Sequence, residues 1–319
     1  MRVWRSLAEV PADLGRTVVT VGNFDGVHLG HQAVVRRARE EAVARGAEAV
    51  VAVTFDPHPV AVLRPELAPP VLTPLERRAD LLAASGVDAM LVVPFDREVA
   101  GWSPERFVED VLVTALHATA VVVGANFRFG ARAAGDVALL DRVGRELAGT
   151  GRGFAAVGVP LDGGPATWSS TYVRRCLASG EVEQAAAALG RPVSVRGPVQ
   201  RGDRRGRELG YPTANVAIGA EAAPADGVYA GWVTVLADGA RHPAAISVGT
   251  NPTFAGERVR RVEAHVLDRD DLDLYDHEVE VVFTCRLRGM ERFGSVEELL
   301  AAMARDVEDA REALSREPV

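Results

Sequence analysis

Lysine is absent: the 36 positive side chains of this 319-residue sequence are all arginine. That excludes a Walker-type phosphate loop, a Schiff-base lysine and any kinase fold built on a strand lysine, because each needs a primary amine at a fixed place. Cysteine is scarce as well. Cys176 and Cys285 stand far apart and outside metal-ligand spacing, so neither a disulfide framework nor a cysteine-built zinc site is expected, and both read as packing residues. No apolar run is long enough to cross a bilayer, and no signal-like apolar core follows the first basic residues, so the expectation is a cytoplasmic protein away from the membrane. Positive charge is in deficit too. A formal net charge of -8 argues against a general nucleic-acid binder and leaves small anionic ligands open. Repeats and low-complexity tracts are also missing.

What is present fits two soluble domains: apolar residues make up 48% and charged residues 25%, over a length too great for one small core. In the first half, apolar runs at Val18–Val21, Val50–Phe55, Ala89–Val93 and Ala120–Gly124 alternate with helix-compatible segments. One of these carries Val34, Val35, Ala38 and Ala42 on a single face until Gly46 stops it. This order predicts a doubly wound, Rossmann-like parallel sheet over residues 1–185, with ligands at the carboxyl ends of its strands. From 186 to 319 the pattern changes to Gly, Pro, Val and Thr with short period-two stretches such as Val228–Val235 and Glu278–Phe283. A small antiparallel β-barrel is expected there. The alanine-rich Glu181–Leu189 reads as the last helix and linker of the first domain. Near the end, Ser295 and Glu298 form a capping-box pair ahead of a stripe of Val296, Leu299, Leu300, Met303 and Val307, predicting a helix packed on the barrel.

The first chemical signal runs from Val21 to His31, Val-Gly-Asn-Phe-Asp-Gly-Val-His-Leu-Gly-His, leaving a buried strand and entering a helix. Gly22, Gly26 and Gly30 let the backbone approach a ligand closely, and a helix start offers free N–H groups to an anion. A lone histidine there would read as a surface or cap residue. The pair His28 and His31, inside this glycine-bearing turn, points instead to a phosphate.

This stretch resembles the nucleotidyltransferase superfamily marked by His-x-Gly-His, and within it the FAD synthetase branch. The likeness continues through Phe55-Asp56-Pro57-His58-Pro59, Gly124-Ala125-Asn126-Phe127-Arg128-Phe129-Gly130 and Trp168-Ser169-Ser170-Thr171-Tyr172-Val173-Arg174. It implies attack of the FMN phosphate on the α-phosphorus of ATP, with Mg²⁺ assisting, and release of pyrophosphate and FAD. The protein's part is positioning and charge stabilisation. By this resemblance Gly22, Asn23, Phe24, Asp25 and Gly30 shape the nucleotide site, and His28 and His31 hold the ATP phosphates. Asn126 donates to the same region, while Ser170, Thr171 and Arg174 bind the triphosphate from the opposite side. Phe129 is either a stacking surface for the isoalloxazine ring or an ordinary core phenylalanine. Asp56 and His58 flank prolines and stay as neighbours of the site.

The second signal opens the barrel. Five arginines from Arg196 to Arg207, interleaved with glycine, favour a loop over a nucleotide phosphate in so acidic a chain. The run containing Gly202, Gly206, Arg207, Pro212, Thr213, Ala214 and Asn215, joined to Asn251-Pro252-Thr253-Phe254, resembles the riboflavin kinase signature. Similarity continues through Val262–Asp268, Asp273-Leu274-Tyr275 and Leu287–Phe293. The resemblance implies γ-phosphoryl transfer from ATP to the ribityl 5′-hydroxyl of riboflavin, giving FMN and ADP. Gly202, Gly206, Arg207, Pro212 and Asn251 then belong to the binding site. Thr213 and Asn215, two oxygen-bearing side chains at alternate positions of an extended segment, help hold Mg²⁺. Glu263 is the implied general base. Two departures stand out: Asp276 where the family usually has glycine, and Arg292 where it commonly has lysine. A competing expectation is a nucleotidyltransferase for another phosphorylated small molecule, carrying a barrel that only binds flavin.

Overall fold

The structure, a computed structural model, describes residues 1–160, 168–201, 211–252, 258–269 and 271–316. It divides into two compact units, Met1–Ser169 and Ser170–Val319.

The first unit is built on six parallel strands: β1 (Arg2–Trp4), β2 (Thr17–Val21), β3 (Ala49–Asp56), β4 (Ala89–Pro94), β5 (Ala118–Gly124) and β6 (Ala155–Val159), in the order β1-β4-β3-β2-β5-β6. All five residues of β2 are buried, as a strand must be when helices cover both faces of its sheet. Helix α1 (Leu29–Arg45) follows β2, buries Val34, Val35, Ala38 and Ala42, and ends where Gly46 turns left-handed. Helices α2 (Leu75–Ala84) and α3 (Val137–Glu146) also belong to this unit, with the continuous helical turns Pro104–Phe107 and Val108–Ala115 between them. β1 has three residues and β6 reads Ala-Ala-Val-Gly-Val, so neither gives a strong apolar run in sequence. From β2 the chain winds outward through β3 and β4, and then returns to the other side of β2 as β5. The carboxyl ends of β2 and β5 therefore flank the point where the winding reverses, which is where an open α/β sheet leaves a ligand crevice.

The second unit starts with α4 (Ser170–Ser179) and α5 (Val182–Leu189), followed by a closed antiparallel barrel. Its strands are β7 (Val193–Gln200), β8 (Ala214–Val216), β9 (Gly227–Val235), β10 (Arg241–Pro252), β11 (Arg258–Val266) and β12 (Glu278–Gly289), in the order β10-β11-β8-β7-β12-β9. Alternate residues such as Val195, Val233, Ile246, Val262, Val281 and Phe283 fill the interior. Packing groups α4 and α5 with the barrel, whereas the sequence pattern drew the division between 185 and 186. The cause is a set of polar clamps. Arg286 of β12 donates to the carbonyls of Ser179 (3.2 Å) and Asp226 (2.9 Å), and the Ala225 amide donates to Leu177 O at 2.8 Å. The apolar face of α5 (Val182, Ala185, Ala188 and Leu189) is buried.

Helix α6 (Val296–Ser315) closes the unit, with the Ser295 hydroxyl accepting from the Glu298 amide as its cap. Its buried seam is Ala302, Asp306, Ala310 and Leu314, with Val307 beside them, while Val296 is exposed. The expected stripe is thus shifted, because Asp306 is drawn inward by two 2.7 Å bonds from Arg288 of β12. The family departure at Asp276 falls on a left-handed turn, φ 63°, before β12. Aspartate adopts that region more readily than most side chains but at a cost glycine avoids. Asp276→Gly is therefore expected to stabilise the second unit by about 0.5–1 kcal/mol, seen as a higher urea midpoint at unchanged slope; an equal or lower midpoint would contradict the assignment of strain to this turn.

Candidate functional site

The turn after β2 is shaped from below by a buried polar knot. Asp25 is 2% exposed, and its carboxylate accepts from the backbone amides of Leu72 (3.0 and 3.1 Å) and Thr73 (2.9 Å) and from the Thr73 hydroxyl (3.2 Å). That hydroxyl oxygen also accepts from the Gly26 amide at 2.9 Å. Arg78 of α2, likewise buried, donates to Thr54 Oγ1 and Thr73 O, both at 3.2 Å, and lies 3.9 Å from the Asp25 carboxylate. Thr54 in turn donates to the carbonyl of Asn23 at 3.1 Å. A buried charge of each sign, with hydrogen bonds around both, is the arrangement low-dielectric surroundings demand. Its product is a fixed turn with Phe24 at φ 49° and Val27 at φ 39°.

On that base the two histidines meet. His28 is the N-cap of α1, its Nδ1 accepting from the His31 amide at 3.4 Å. An acceptor role for Nδ1 puts the proton of the neutral ring on Nε2. The imidazoles of His28 and His31 stack with centroids 3.7 Å apart and planes 24° from parallel, and the buried Phe24 ring meets His31 edge-on at 5.2 Å. Burial, then the nearby His28, then the Arg78 charge hold the His31 pKa well below the ordinary 6.5. His31 is therefore neutral at pH 7. Its Nδ1 is buried and has no hydrogen-bond partner among the described residues, an unmade bond that a phosphate oxygen or hydroxyl could complete. Gly30 is closely packed: a Cβ there would sit 3.1 Å from the His28 ring and 3.3 Å from the Trp168 carbonyl, so a side chain would push against the ring. Gly22, by contrast, would bring a Cβ only to 3.4 Å from Phe24.

The other expected residues of this unit separate into surface and core. Asn126 is exposed in the loop after β5, on the far side of the winding reversal from the histidine turn. Phe129 is 7% exposed and packs against Phe107 and Phe127, so its ring belongs to the core; Phe127 is the half-buried member of the stack. Phe24 and Asp25, expected at the nucleotide, lie beneath the turn and position it. The Asn23 amide lies 3.1 Å from Nε2 of His58, whose Nδ1 accepts from the Val60 amide at 3.2 Å, so His58 supports the turn directly. A groove of about 670 Å³ runs beside the turn, lined by Gly30, Ala33, Arg36 and Arg37 of α1, by Val157 to Pro160 and by Trp168. Sequence reading passed over Thr54, Thr73 and Arg78. The signal it could have used was Arg78 itself, on the apolar stripe of α2 with Leu75 and Leu82.

In the second unit, Ser170, Thr171 and Arg174 fall in the first turns of α4. On the barrel, Asn215 of β8 and Glu263 of β11 are direct cross-strand partners, and Glu263 pairs Ser247 of β10 on its other side. Ala214, Val216, Val262 and Ala264 point into the core, so Asn215 and Glu263 share the outer face, and Thr213 stands immediately ahead of β8, two residues before Asn215. Pro212 is half-buried. The backbone of Asn251 lies in β10, and Gly202, Gly206 and Arg207 lie outside the described residues. Thr213, Asn215 and Glu263 offer only hard oxygen donors, a set suited to a hard divalent cation that keeps water and phosphate ligands. Among the described residues no group of three or more His, Cys, Asp or Glu gathers as a metal centre.

Comparison with known proteins matches both halves. The FAD synthetase family model covers residues 10–155, and the riboflavin kinase family model covers 189–314. The bifunctional riboflavin kinase/FMN adenylyltransferase of Escherichia coli is 40% identical over 296 residues, 92% of each chain. The protein of that name from Pseudomonas fluorescens is 40% identical over 314 residues, 98% of this chain and 97% of the relative. Among solved structures, one titled macrolide-efflux protein from Streptococcus pneumoniae superimposes with a TM-score of 0.84 at 30% identity, covering 97% of this chain and 98% of that one. With sequence likeness along nearly its whole length and a family model on each half, this chain belongs to the bifunctional riboflavin kinase/FMN adenylyltransferase family.

Proposed function

We propose that the chain makes FMN on the barrel and FAD at the carboxyl end of the parallel sheet, with the functional division near residue 185 although packing divides the chain at Ser169. The observation that carries the adenylyl-transfer half is the stacked His28–His31 pair at a helix start beside the winding reversal, with a buried ring nitrogen lacking a partner among the described residues. In that reading the FMN phosphate oxygen attacks the α-phosphorus of ATP and pyrophosphate departs. The two imidazoles and the amide groups of the α1 start hold the phosphate oxygens as charge redistributes. Asn126 donates to the same region. Ser170, Thr171 and Arg174 bind the triphosphate at a second helix start, arginine gripping two oxygens at once.

For the kinase half, Glu263 orients the ribityl 5′-hydroxyl and takes its proton as the oxygen attacks the γ-phosphorus, with ADP as the leaving group. Its place beside Asn215 in the barrel register supports this role. Thr213 and Asn215 would hold Mg²⁺, which when bound neutralises phosphate charge. The riboflavin kinase match on the second half speaks against a barrel that only binds flavin. ATP as the common co-substrate fits a cytoplasmic enzyme.

Three outcomes test the assignment. With riboflavin, ATP and Mg²⁺, His28→Ala should accumulate FMN while FAD formation drops about 10²–10³-fold; chromatography of both products checks this, and loss of both from a folded variant would refute the division of labour. Glu263→Gln should lower FMN formation about 10²-fold or more yet convert supplied FMN to FAD normally, and unchanged kinase turnover would remove Glu263 from its role. The third concerns pH. Because the folded pKa of His31 lies below its unfolded value of 6.5, the unfolded chain binds more protons as pH falls below about 6.5, and stability declines until the folded value is reached. His31→Gln should make melting temperature less steep between about pH 5 and 7; identical slopes would contradict a buried neutral imidazole.

A further inference from the structure

β8 is only three residues long, pairing Ala214, Asn215 and Val216 with Ala264, Glu263 and Val262. So short a strand fixes little by itself. The backbone cannot extend the ladder through Pro212, which has no N–H to give. A side chain takes over there. Nδ1 of His265 lies 2.8 Å from the Pro212 carbonyl oxygen. A carbonyl only accepts, so Nδ1 carries a proton, and in the neutral ring Nε2 does not. The ring is packed edge-on against Tyr211, centroids 5.3 Å apart at 66°. His265 is two residues beyond Glu263 and alternates with the buried Ala264 and Val266, so it stands on the same outer face as Glu263 and Asn215. Its bond holds the peptide carbonyl that leads directly into Thr213.

We propose that His265 is a positioning residue of the kinase: by donating from Nδ1 to Pro212 O it finishes the β8–β11 ladder and fixes Thr213 immediately ahead of β8, two residues before Asn215. The proposal rests on the reading of Thr213 and Asn215 as the metal-holding pair. It assigns to His265 no contact with the reacting atoms. What it supplies is the direction of the Thr213 side chain before any ligand arrives.

The test uses the full chain with His265→Phe, which keeps ring packing on Tyr211 but cannot donate, and His265→Asn, whose amide nitrogen can replace Nδ1. Without ligands, hydrogen exchange of the amides from Thr213 to Val216 should speed up about five- to tenfold in the phenylalanine variant, the effect of one lost hydrogen bond, and return to the wild-type rate in the asparagine variant. In kinase assays the half-saturating Mg²⁺ concentration should rise by a similar factor, about five- to tenfold, in His265→Phe alone, while conversion of supplied FMN to FAD stays at the wild-type rate in both. Exchange and Mg²⁺ response equal to wild type in His265→Phe would overturn the proposal, as would equal losses in His265→Asn. Kinase turnover by the unaltered chain that ignores Mg²⁺ would remove the metal from Thr213 and Asn215 and overturn the proposal together with that reading.

Discussion

The sheet unit depends on a carboxylate that never reaches its surface. Asp25 turns inward to the amides of Leu72 and Thr73, and Arg78 closes the circuit through Thr54 and Thr73. Desolvating two charges is costly, and here the cost is offset by the backbone and hydroxyl donors that meet the Asp25 carboxylate and by the two acceptors that meet the Arg78 terminal nitrogens. What the knot provides is a turn rigid enough to deliver two imidazoles, one as the helix cap and the other stacked on it, at one point beside the crevice of the sheet. A looser turn would leave the rings free to separate, and charge stabilisation by fixed donors loses its advantage when the donors must first be organised.

The barrel reaches a comparable end by other means. There the side chains proposed for the kinase sit on an outer face, and register does the positioning: with β8 antiparallel to β11, Asn215 is set opposite Glu263 without any contact between the two side chains being needed to explain it. The weak place in such a scheme is the end of a three-residue strand, which is where His265 bonds Pro212. In the proposed reading, both sites use residues outside the reacting set to hold those within it.

Much of this could be read from residue order. The strands Val18–Val21, Val50–Phe55, Ala89–Val93 and Ala120–Gly124 are buried on both faces and therefore form continuous apolar runs, and Gly46 ends α1 as a left-handed cap should. The His28–His31 turn was legible because glycine spacing, strand end and helix start coincide. Less was legible where polar groups are buried. Arg78 and Asp306 occupy apolar-stripe positions, and their partners, Asp25 and Arg288, lie far away in sequence. Asp25 and Phe24 stand within the motif yet serve from beneath it, since a motif records which residues are needed and not which way they face. The helices α4 and α5 follow the same logic: their attachment to the barrel is made by Arg286, remote in sequence, so no local pattern announces it.

The central claim is that the stacked imidazoles of the α1 start grip a nucleotide's phosphates. A crystal structure of the full chain with a non-hydrolysable ATP analogue tests this most directly. The account predicts His28 and His31 ring nitrogens within about 3 Å of phosphate oxygens, with Asp25 still bonded to Leu72 and Thr73 beneath them. A triphosphate bound elsewhere, with both rings keeping their present surroundings, would contradict it.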